Sequence, residues 1–490
     1  MKTQIRLLLL AATILTLAVS PLHAQIVADG ATNTLSNVTN TFTGSVIIGT
    51  NGSFTLLVLS DNALLTNSAN GIIGRNSTAT SNEVRLISST SRWRMGGSLF
   101  VGSNGVSSRL VVSNGALLED SVGNIGFRTA SGNNSALITG PGSLWTNRGS
   151  FTISSGFFAS SSNRLVVSNS AALFSGGTAT VSGSGNQVVI TGVGSRWANQ
   201  SDFAFGGSGN RLELNGGAGL VSSTASLTDF SSGDDDIVLL TGTGTFWTNN
   251  GDLTIGFGGA RCLLTASNAA SLFIGGRVLL GDNGGANLNS VSITDPGTSW
   301  TIGSDLYVGN LSSANLLMIS NGGFVVSSNA LIGANIGASG NSALVVGAGS
   351  VWSNRNDFTI GSDTFGNTLV VSNGATVFAG GSAVLGVNSG ANLNSAVVTD
   401  AGTRCLVATN LYVGTNGALN TLVVSNAGLV ADISGFIGYG STSSSNVAVV
   451  TGAGSVWSNA SIFGFYVGVN GRGNQLVVSN GGRVQGAGFV

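Results

Sequence analysis

The feature that most constrains the fold is an internal repeat. One motif with a bulky residue recurs about every 52 residues, and a second motif, L-V-V-S-N-G-A at residues 110–116 and 369–375, alternates with it. The two motifs align with each other, so the underlying period is about 26 residues. The bulky slot holds, in chain order, Trp93, Trp145, Trp197, Trp247, Trp300, Trp352, Cys405 and Trp457.

A turn slot recurs with the same period and contains only Asn, Gly or Asp in fifteen successive copies. These are the residues that best tolerate a positive φ. The slot holds Asn114, Gly140, Asn169, Gly192, Asn215, Gly242, Asn268, Asp295, Asn321, Gly347, Asn373, Asp400, Asn426, Gly452 and Asn480. Around it, each unit has about three apolar runs of two to four residues and no helical periodicity.

Strands this short must pair with the same strand of the next unit, because they cannot stand alone. The sequence therefore predicts an all-β, right-handed parallel β-helix of about 17 coils with about 26 residues in each. Only 8% of the residues are charged, as expected if each outward side chain stacks about 4.8 Å from its equivalent. The alternative is an eight-bladed β-propeller, since a period near 50 with Gly and Trp also fits that fold.

Three segments are predicted along the chain. Residues 1–24 have the pattern of a signal peptide, with charged Lys2 and Arg6, an apolar run over residues 7–19 and Ala24 before the cleavage point. Residues 25–44 are predicted to be a polar N-terminal cap, and residues 45–490 the repeat domain, which ends partway through a repeat. We therefore expect a protein that is secreted or displayed on the outer cell surface.

Composition removes most catalytic classes. The only His is His23 and the only Lys is Lys2, so the mature chain has neither and cannot build a Ser-His-Asp, Cys-His or Ser-Lys centre. Carboxylate chemistry on polysaccharides remains. However, four acids recur in one repeat slot, which indicates structure: Asp202, Asp252, Asp305 and Asp357. The preferred hypothesis is a non-catalytic structural or adhesin-like protein, and the alternative is a polysaccharide lyase or hydrolase.

Asp234, Asp235 and Asp236 form the one acidic cluster. Carboxylate oxygens suit Ca²⁺, so a calcium site is one interpretation. A solvated bulge is the preferred one, and no other metal or cofactor is predicted.

The bulky slot could lie in the core or form an exposed ladder for sugars. Val377 and Val430 fill the same slot in the other half-repeat, and a slot that accepts aliphatic residues favours the core. The preceding residues Arg92, Arg196 and Arg404 are predicted to point outward by strand alternation, without forming a continuous basic stripe.

The motifs G-P-G-S-L-W-T-N, G-A-G-S-V-W-S-N and L-V-V-S-N-G-A resemble the type V secretion/PEP-CTERM-associated repeat, over residues 45 to 490. The resemblance implies a large bacterial protein similar to autotransporter passengers, without catalytic residues. Expected partners are extracellular glycans or cell-surface components. Nucleic acid is not expected, because the net charge of −1 offers no basic footprint.

Overall fold

The computed structural model describes residues 25–129, 131–155, 160–228, 235–461 and 464–486. Within them the chain winds through three parallel β-sheets, visiting sheets I, II and III once per coil. The predicted signal peptide lies outside the described residues. The described part contains no helix long and apolar enough to cross a bilayer.

Sheet I has eighteen strands: Thr32–Ser36, Leu56–Ser60, Glu83–Leu86, Arg109–Ser113, Ser135–Thr139, Arg164–Ser168, Gln187–Thr191, Arg211–Asn215, Ile237–Thr241, Leu263–Ser267, Ser290–Thr294, Leu316–Ser320, Ser342–Val346, Thr368–Ser372, Ser395–Thr399, Thr421–Ser425, Val447–Thr451 and Gln475–Ser479. Sheet II, which carries the bulky slot, also has eighteen: Thr39–Phe42, Leu64–Asn67, Arg92–Met95, Leu117–Asp120, Leu144–Asn147, Ala172–Ser175, Arg196–Asn199, Gly219–Ser222, Phe246–Asn249, Ser271–Ile274, Ser299–Ile302, Phe324–Ser327, Val351–Asn354, Thr376–Ala379, Arg404–Val407, Leu429–Asp432, Val456–Asn459 and Arg483–Gln485.

Sheet III has seventeen strands: Val46–Ile48, Gly71–Ile73, Leu99–Val101, Gly123–Ile125, Phe151–Ile153, Ala179–Val181, Phe203–Phe205, Ala225–Leu227, Leu253–Ile255, Val278–Leu280, Leu306–Val308, Ala330–Ile332, Phe358–Ile360, Ala383–Leu385, Asn410–Val413, Ser434–Ile437 and Phe465–Val467.

Each strand pairs in parallel with the equivalent strands of the coils before and after it. In sheet II, for example, Leu118 lies beside Trp93 of the preceding coil and Trp145 of the following one. The predicted parallel β-solenoid of about 17 coils is therefore confirmed, and the propeller alternative is wrong. At about 4.8 Å per coil the stack is roughly 80 Å long.

The alternation of inward and outward side chains along each strand shows which residues form the core. In Val351–Asn354 the burial pattern alternates, so Trp352 and Asn354 point into the coil while Val351 and Ser353 face outward. Repeated over the stack, this alternation builds one continuous hydrophobic core. The core is why neighbouring coils must stay in register, since a slip of one residue would turn Trp352 outward.

The turn slot between sheets I and II has the predicted conformation in fourteen of its fifteen copies, with φ from 49° at Asn426 to 98° at Gly242. Asn215 is the exception. Asn215 pairs with Thr191 and Thr241, the residues that precede the slot, so the prediction was off by one residue there. Gly216 fills the turn slot and has the expected positive φ of 63°.

The N-terminal segment contributes strands to the solenoid. The first coil already begins with Thr32–Ser36, inside the segment predicted to be a cap. Before it, the Asp29 carboxylate accepts hydrogen bonds from the backbone N–H groups of Thr50, Asn51 and Gly52 at 2.8 to 3.0 Å. Burial raises the pKa of Asp29, but these three N–H groups lower it more, so the net shift is downward.

Candidate functional site

All seven Trp side chains of the bulky slot are fully buried. They lie in the core of the coil and not on an exposed aromatic ladder. Part of the set forms a continuous edge-to-face chain, in which Phe151 contacts Trp145 at 5.0 Å and Trp197 at 5.4 Å between ring centroids. The slot therefore supplies packing and presents no ring face to a ligand.

The indole N–H groups find acceptors at the end of the sheet II strand in the preceding coil. Trp93 donates to Asn67 Oδ1 at 2.9 Å, and Trp197 donates to Ser175 Oγ at 3.0 Å. Trp300 and Trp352 are exceptions without a hydrogen-bond partner within the described structure. Ile274 occupies the acceptor position for Trp300, whereas Ser327 occupies it for Trp352 but donates to Asn354 Oδ1 and accepts nothing from the indole.

Two of these acceptors are buried carboxylates. Asp120 Oδ2 accepts from Trp145 Nε1 at 2.8 Å, and its Oδ1 accepts from Asn147 Nδ2 at 2.7 Å. Burial raises the pKa of Asp120 to about 7, although the hydrogen bond from Trp145 and the charge of Arg148 lower it. The same constellation recurs at Asp432, whose pKa burial raises to about 7.

A second interior row, which sequence reasoning missed, is a ladder of buried Asn residues placed directly before the sheet I strands. In each rung the Asn Oδ1 accepts the backbone N–H of the equivalent residue one coil earlier, as Asn341 Oδ1 does from Asn315 N at 2.9 Å. The signal was an Asn immediately before each L-V-V-like run. The buried Asn members are Asn82, Asn134, Asn163, Asn186, Asn210, Asn289, Asn315, Asn341, Asn367, Asn394, Asn420 and Asn446, and the partly buried Asn474 follows in the last coil.

Both cysteines occupy repeat slots. Cys262 takes a rung of the Asn ladder and is fully buried. Cys405 occupies the bulky slot of sheet II, between Val377 and Val430 of the adjacent coils, and is half-buried. The two thiols are free and lie five coils apart.

The acidic cluster divides between two environments. Asp234 lies outside the described residues. Asp235 is exposed, and its two carboxylate oxygens accept from Arg261 Nε and Nη2 at 2.7 and 3.0 Å. Asp236 is buried in the Asn ladder, where its Oδ1 accepts the backbone N–H of Asn210 at 2.7 Å. No group of three potential metal ligands occurs within the described ranges.

The four recurring acids line the corner between sheets II and III at every second coil. Each accepts a hydrogen bond from the coil that follows it: Asp202 from Thr224, Asp252 from Arg277, Asp305 from Asn329 and Asp357 from Ser382, at 2.6 to 2.8 Å. These carboxylates therefore tie successive coils together.

Asp202 and Asp252 also line a shallow groove of about 390 Å³ on the outer face of sheet III. Ala204 and Thr254 form part of its floor, and Phe257 lies at its edge. Burial raises the pKa of Asp252, but the hydrogen bonds and charge of Arg277 lower it more, so this carboxyl titrates below its usual range. A carboxyl shifted in this direction is poorly suited to act as a general acid near neutral pH.

Arg92, Arg196 and Arg404 lie at outward positions of sheet II, as alternation predicted. The ion pairs found on the outer surface join residues of the same or neighbouring coils, such as Arg277 with Asp252 at 2.8 Å. They add cohesion between coils and leave no continuous basic stripe.

No protein-family model matches this chain, and no curated protein matches its sequence. The resemblance to the type V secretion/PEP-CTERM-associated repeat therefore stays a prediction. Among solved structures, the chain is similar to the crystal structure of a TibA fragment, residues 55–350, hyper-glycosylated by TibC. The identity is 13%, the match covers 92% of this chain and 100% of that chain, and the TM-score is 0.33. A similarity of this size supports no functional argument.

Proposed function

We propose that this chain is a secreted or cell-surface structural rod with an adhesive role and no catalytic activity. The observation that carries the proposal is the use of its polar side chains. Buried Asn side chains bond the next coil, and the recurring surface acids do the same, as Asp305 does with Asn329 at 2.7 Å. These groups form the same hydrogen bond between neighbouring coils in many repeats, whereas a catalytic centre is a single, non-repeating arrangement.

The elongated shape also supports this role. About seventeen coils present long, regular outer faces with few charges, which suits extended contacts with extracellular glycans or cell-surface components. No cofactor is needed for such a function. Export by the N-terminal segment and the bacterial surface context belong to the same proposal.

A polysaccharide lyase or hydrolase is the second candidate, since Asp202 and Asp252 line one groove. The lowered pKa of Asp252 disfavours it as the general acid that glycoside hydrolysis needs. A pair of acids with one raised pKa in the same groove would favour the enzyme.

Three measurements test the proposal. Surface proteolysis and fractionation of the native host should place the mature chain outside the cell, and the purified chain should bind glycans on an array. A cleavage screen with neutral and acidic polysaccharides should give no product. Product formation that disappears in Asp202→Asn or Asp252→Asn would overturn the non-catalytic assignment.

A further inference from the structure

Charge is strongly segregated along the solenoid. Residues 75–200 contain nine Arg against three acids, Glu83, Glu119 and Asp120, a formal net charge of +6. Residues 201–490 contain seven Arg against fourteen acids, a net charge of −7. Because the coils stack in chain order, the coils of residues 75–200 carry a net positive charge and the later coils a net negative one, whereas residues 25–74 carry only Asp29 and Asp61. The near-zero total conceals this separation.

A groove of about 410 Å³ opens on the outer face of sheet II within the positive region. Its lining includes Arg94, Glu119, Arg148 and the threonines Thr66 and Thr146, from four successive coils. Four coils span roughly 14 Å along the axis. The groove therefore accommodates a short stretch of an extended chain.

The two guanidinium groups in this groove are held in place and remain accessible. Arg148 Nη2 donates to the Met95 carbonyl two coils away at 2.9 Å, which fixes the side chain along the groove. Arg94 Nε contacts Glu119 at 2.6 Å, yet 52% of the Arg94 side chain is exposed. A planar guanidinium with free N–H groups is suited to carboxylate and sulfate oxygens.

We infer that this groove binds an anionic polysaccharide, carboxylated or sulfated, through Arg94 and Arg148, with the threonine hydroxyls contacting the sugars. The inference rests on the proposed adhesive function and specifies its ligand class. Duplex DNA carries one charge per about 1.7 Å, and a groove with two arginines can neutralise only a few of its phosphates. A short stretch of a sparsely charged sugar chain needs no more than these two groups.

The chain supplies a matched control. Arg355 occupies the same repeat position as Arg148, and its Nη1 likewise donates to a carbonyl two coils away, that of Ile302, at 3.2 Å. Arg355 lies in the negative half of the solenoid. Arg148→Ser and Arg355→Ser should therefore cost similar structural contacts, but only Arg148→Ser should affect anion binding.

Biolayer interferometry with the immobilised mature chain tests the inference. The probes are heparin, polygalacturonate, neutral dextran and a short DNA duplex. We expect heparin or polygalacturonate to bind at about 0.15 M NaCl, and this binding to weaken strongly at higher salt. Neutral dextran should give no binding signal. Arg148→Ser and Arg94→Ser should each weaken binding about tenfold, Arg355→Ser should leave it unchanged, and Glu119→Gln should tighten it.

Equal losses in Arg148→Ser and Arg355→Ser, or tighter binding of duplex DNA than of both acidic polysaccharides, would overturn the inference. Binding of neutral glycans alone on the array would overturn this site assignment and leave the adhesive proposal standing. If the chain is retained inside the cell, the adhesive proposal fails whatever the groove binds in vitro.

Discussion

Asp120 Oδ2 accepts the indole N–H of Trp145 from the next coil at 2.8 Å, inside a core where both side chains are fully buried. Twelve coils later, Asp432 and Trp457 repeat the contact at the same distance. Burial removes water from the Asp120 carboxyl and raises its pKa, whereas the hydrogen bond from Trp145 lowers it. The effect of burial is the larger of the two. The solenoid therefore contains two separate buried acids poised near neutral pH.

The first prediction is that the coils around Asp120 lose stability as the pH rises. The pKa of Asp120 is about 7 in the folded chain and near 3.9 when unfolded, so the native state binds the extra proton between pH 4 and 7. The free energy of unfolding should therefore fall across that window, by roughly 4 kcal/mol at most. Hydrogen exchange over residues 117–147 at pH 5 and pH 8, corrected for the intrinsic rate, measures this.

Asp120→Asn is the control for that experiment. Asn147 Oδ1 has no partner within the described structure, so a rotated Asn147 amide can accept from an Asn at position 120. The variant should lose the pH dependence locally and keep it around Asp432. Unchanged pH dependence near residue 120 in this variant would contradict the assignment to Asp120. Glu119, Arg94 and Arg148 are the other charged groups nearby.

The fold itself could be read from the sequence because a stacked coil repeats its constraints. The turn slot requires a positive φ in every coil, so its Asn, Gly and Asp residues reveal the period. Asn215 shows the limit of that prediction, since in the N-G-G sequence Asn215 was assigned to the slot that the strand register gives to Gly216. The Asn ladder was missed because a buried polar row contradicts the expectation of an apolar interior.

The second prediction concerns that ladder. Asn341→Ala removes the acceptor for the buried backbone N–H of Asn315, and an unsatisfied buried donor costs about 1–3 kcal/mol. We expect faster hydrogen exchange in the coils that contain Asn315 and Asn341, together with a lower melting temperature. Asn356→Ala, at an exposed position, should leave both measurements unchanged. Similar effects of the two substitutions would show that the ladder contributes nothing to stability.

The third prediction concerns the thiols. Burial and the charge of Asp236 raise the pKa of Cys262, and burial with Asp432 raises the pKa of Cys405 to about 12. At pH 8 only about one Cys405 side chain in ten thousand would be a thiolate. Ellman's reagent should therefore react slowly with the native chain and find two thiols after denaturation. A cysteine introduced by Asn356→Cys should react at once. Rapid reaction of the native chain that lacks this added cysteine would contradict the raised pKa values of Cys262 and Cys405.

Local sequence could not reveal which Trp would lack a partner, because the acceptor lies in a different coil. Trp247 donates to Ser222, whereas Trp300 faces Ile274 and has no partner in the described part of the chain. Only the coil-to-coil register brings these pairs together. The charge segregation was likewise invisible in the total charge, since its two halves nearly cancel.

The last prediction uses this register at Cys405. Val377 and Val430 flank Cys405 in the adjacent coils. These two side chains are no larger than the residues that flank the Trp side chains in other coils, so the core at Cys405 has room for a bulky residue. Cys405→Trp should therefore stabilise the chain by a few kcal/mol at most, because filling a void regains about 24 cal/mol per Å3. Trp352→Cys should destabilise it for the same reason.

The indole introduced at position 405 would direct its N–H toward Ala379, the end of the preceding sheet II strand, where Trp197 finds Ser175 and Trp247 finds Ser222. Ala379→Ser alone buries a hydroxyl without a new partner and should destabilise the chain by about 1–3 kcal/mol. Combined with Cys405→Trp, the same serine gains the indole N–H and should add about 1 kcal/mol of stability. Local hydrogen exchange near residue 405 and denaturant melts of the four chains measure the coupling. If Ala379→Ser has the same effect with and without Trp at position 405, the introduced indole forms no hydrogen bond with the serine, as the buried Trp352 forms none with Ser327.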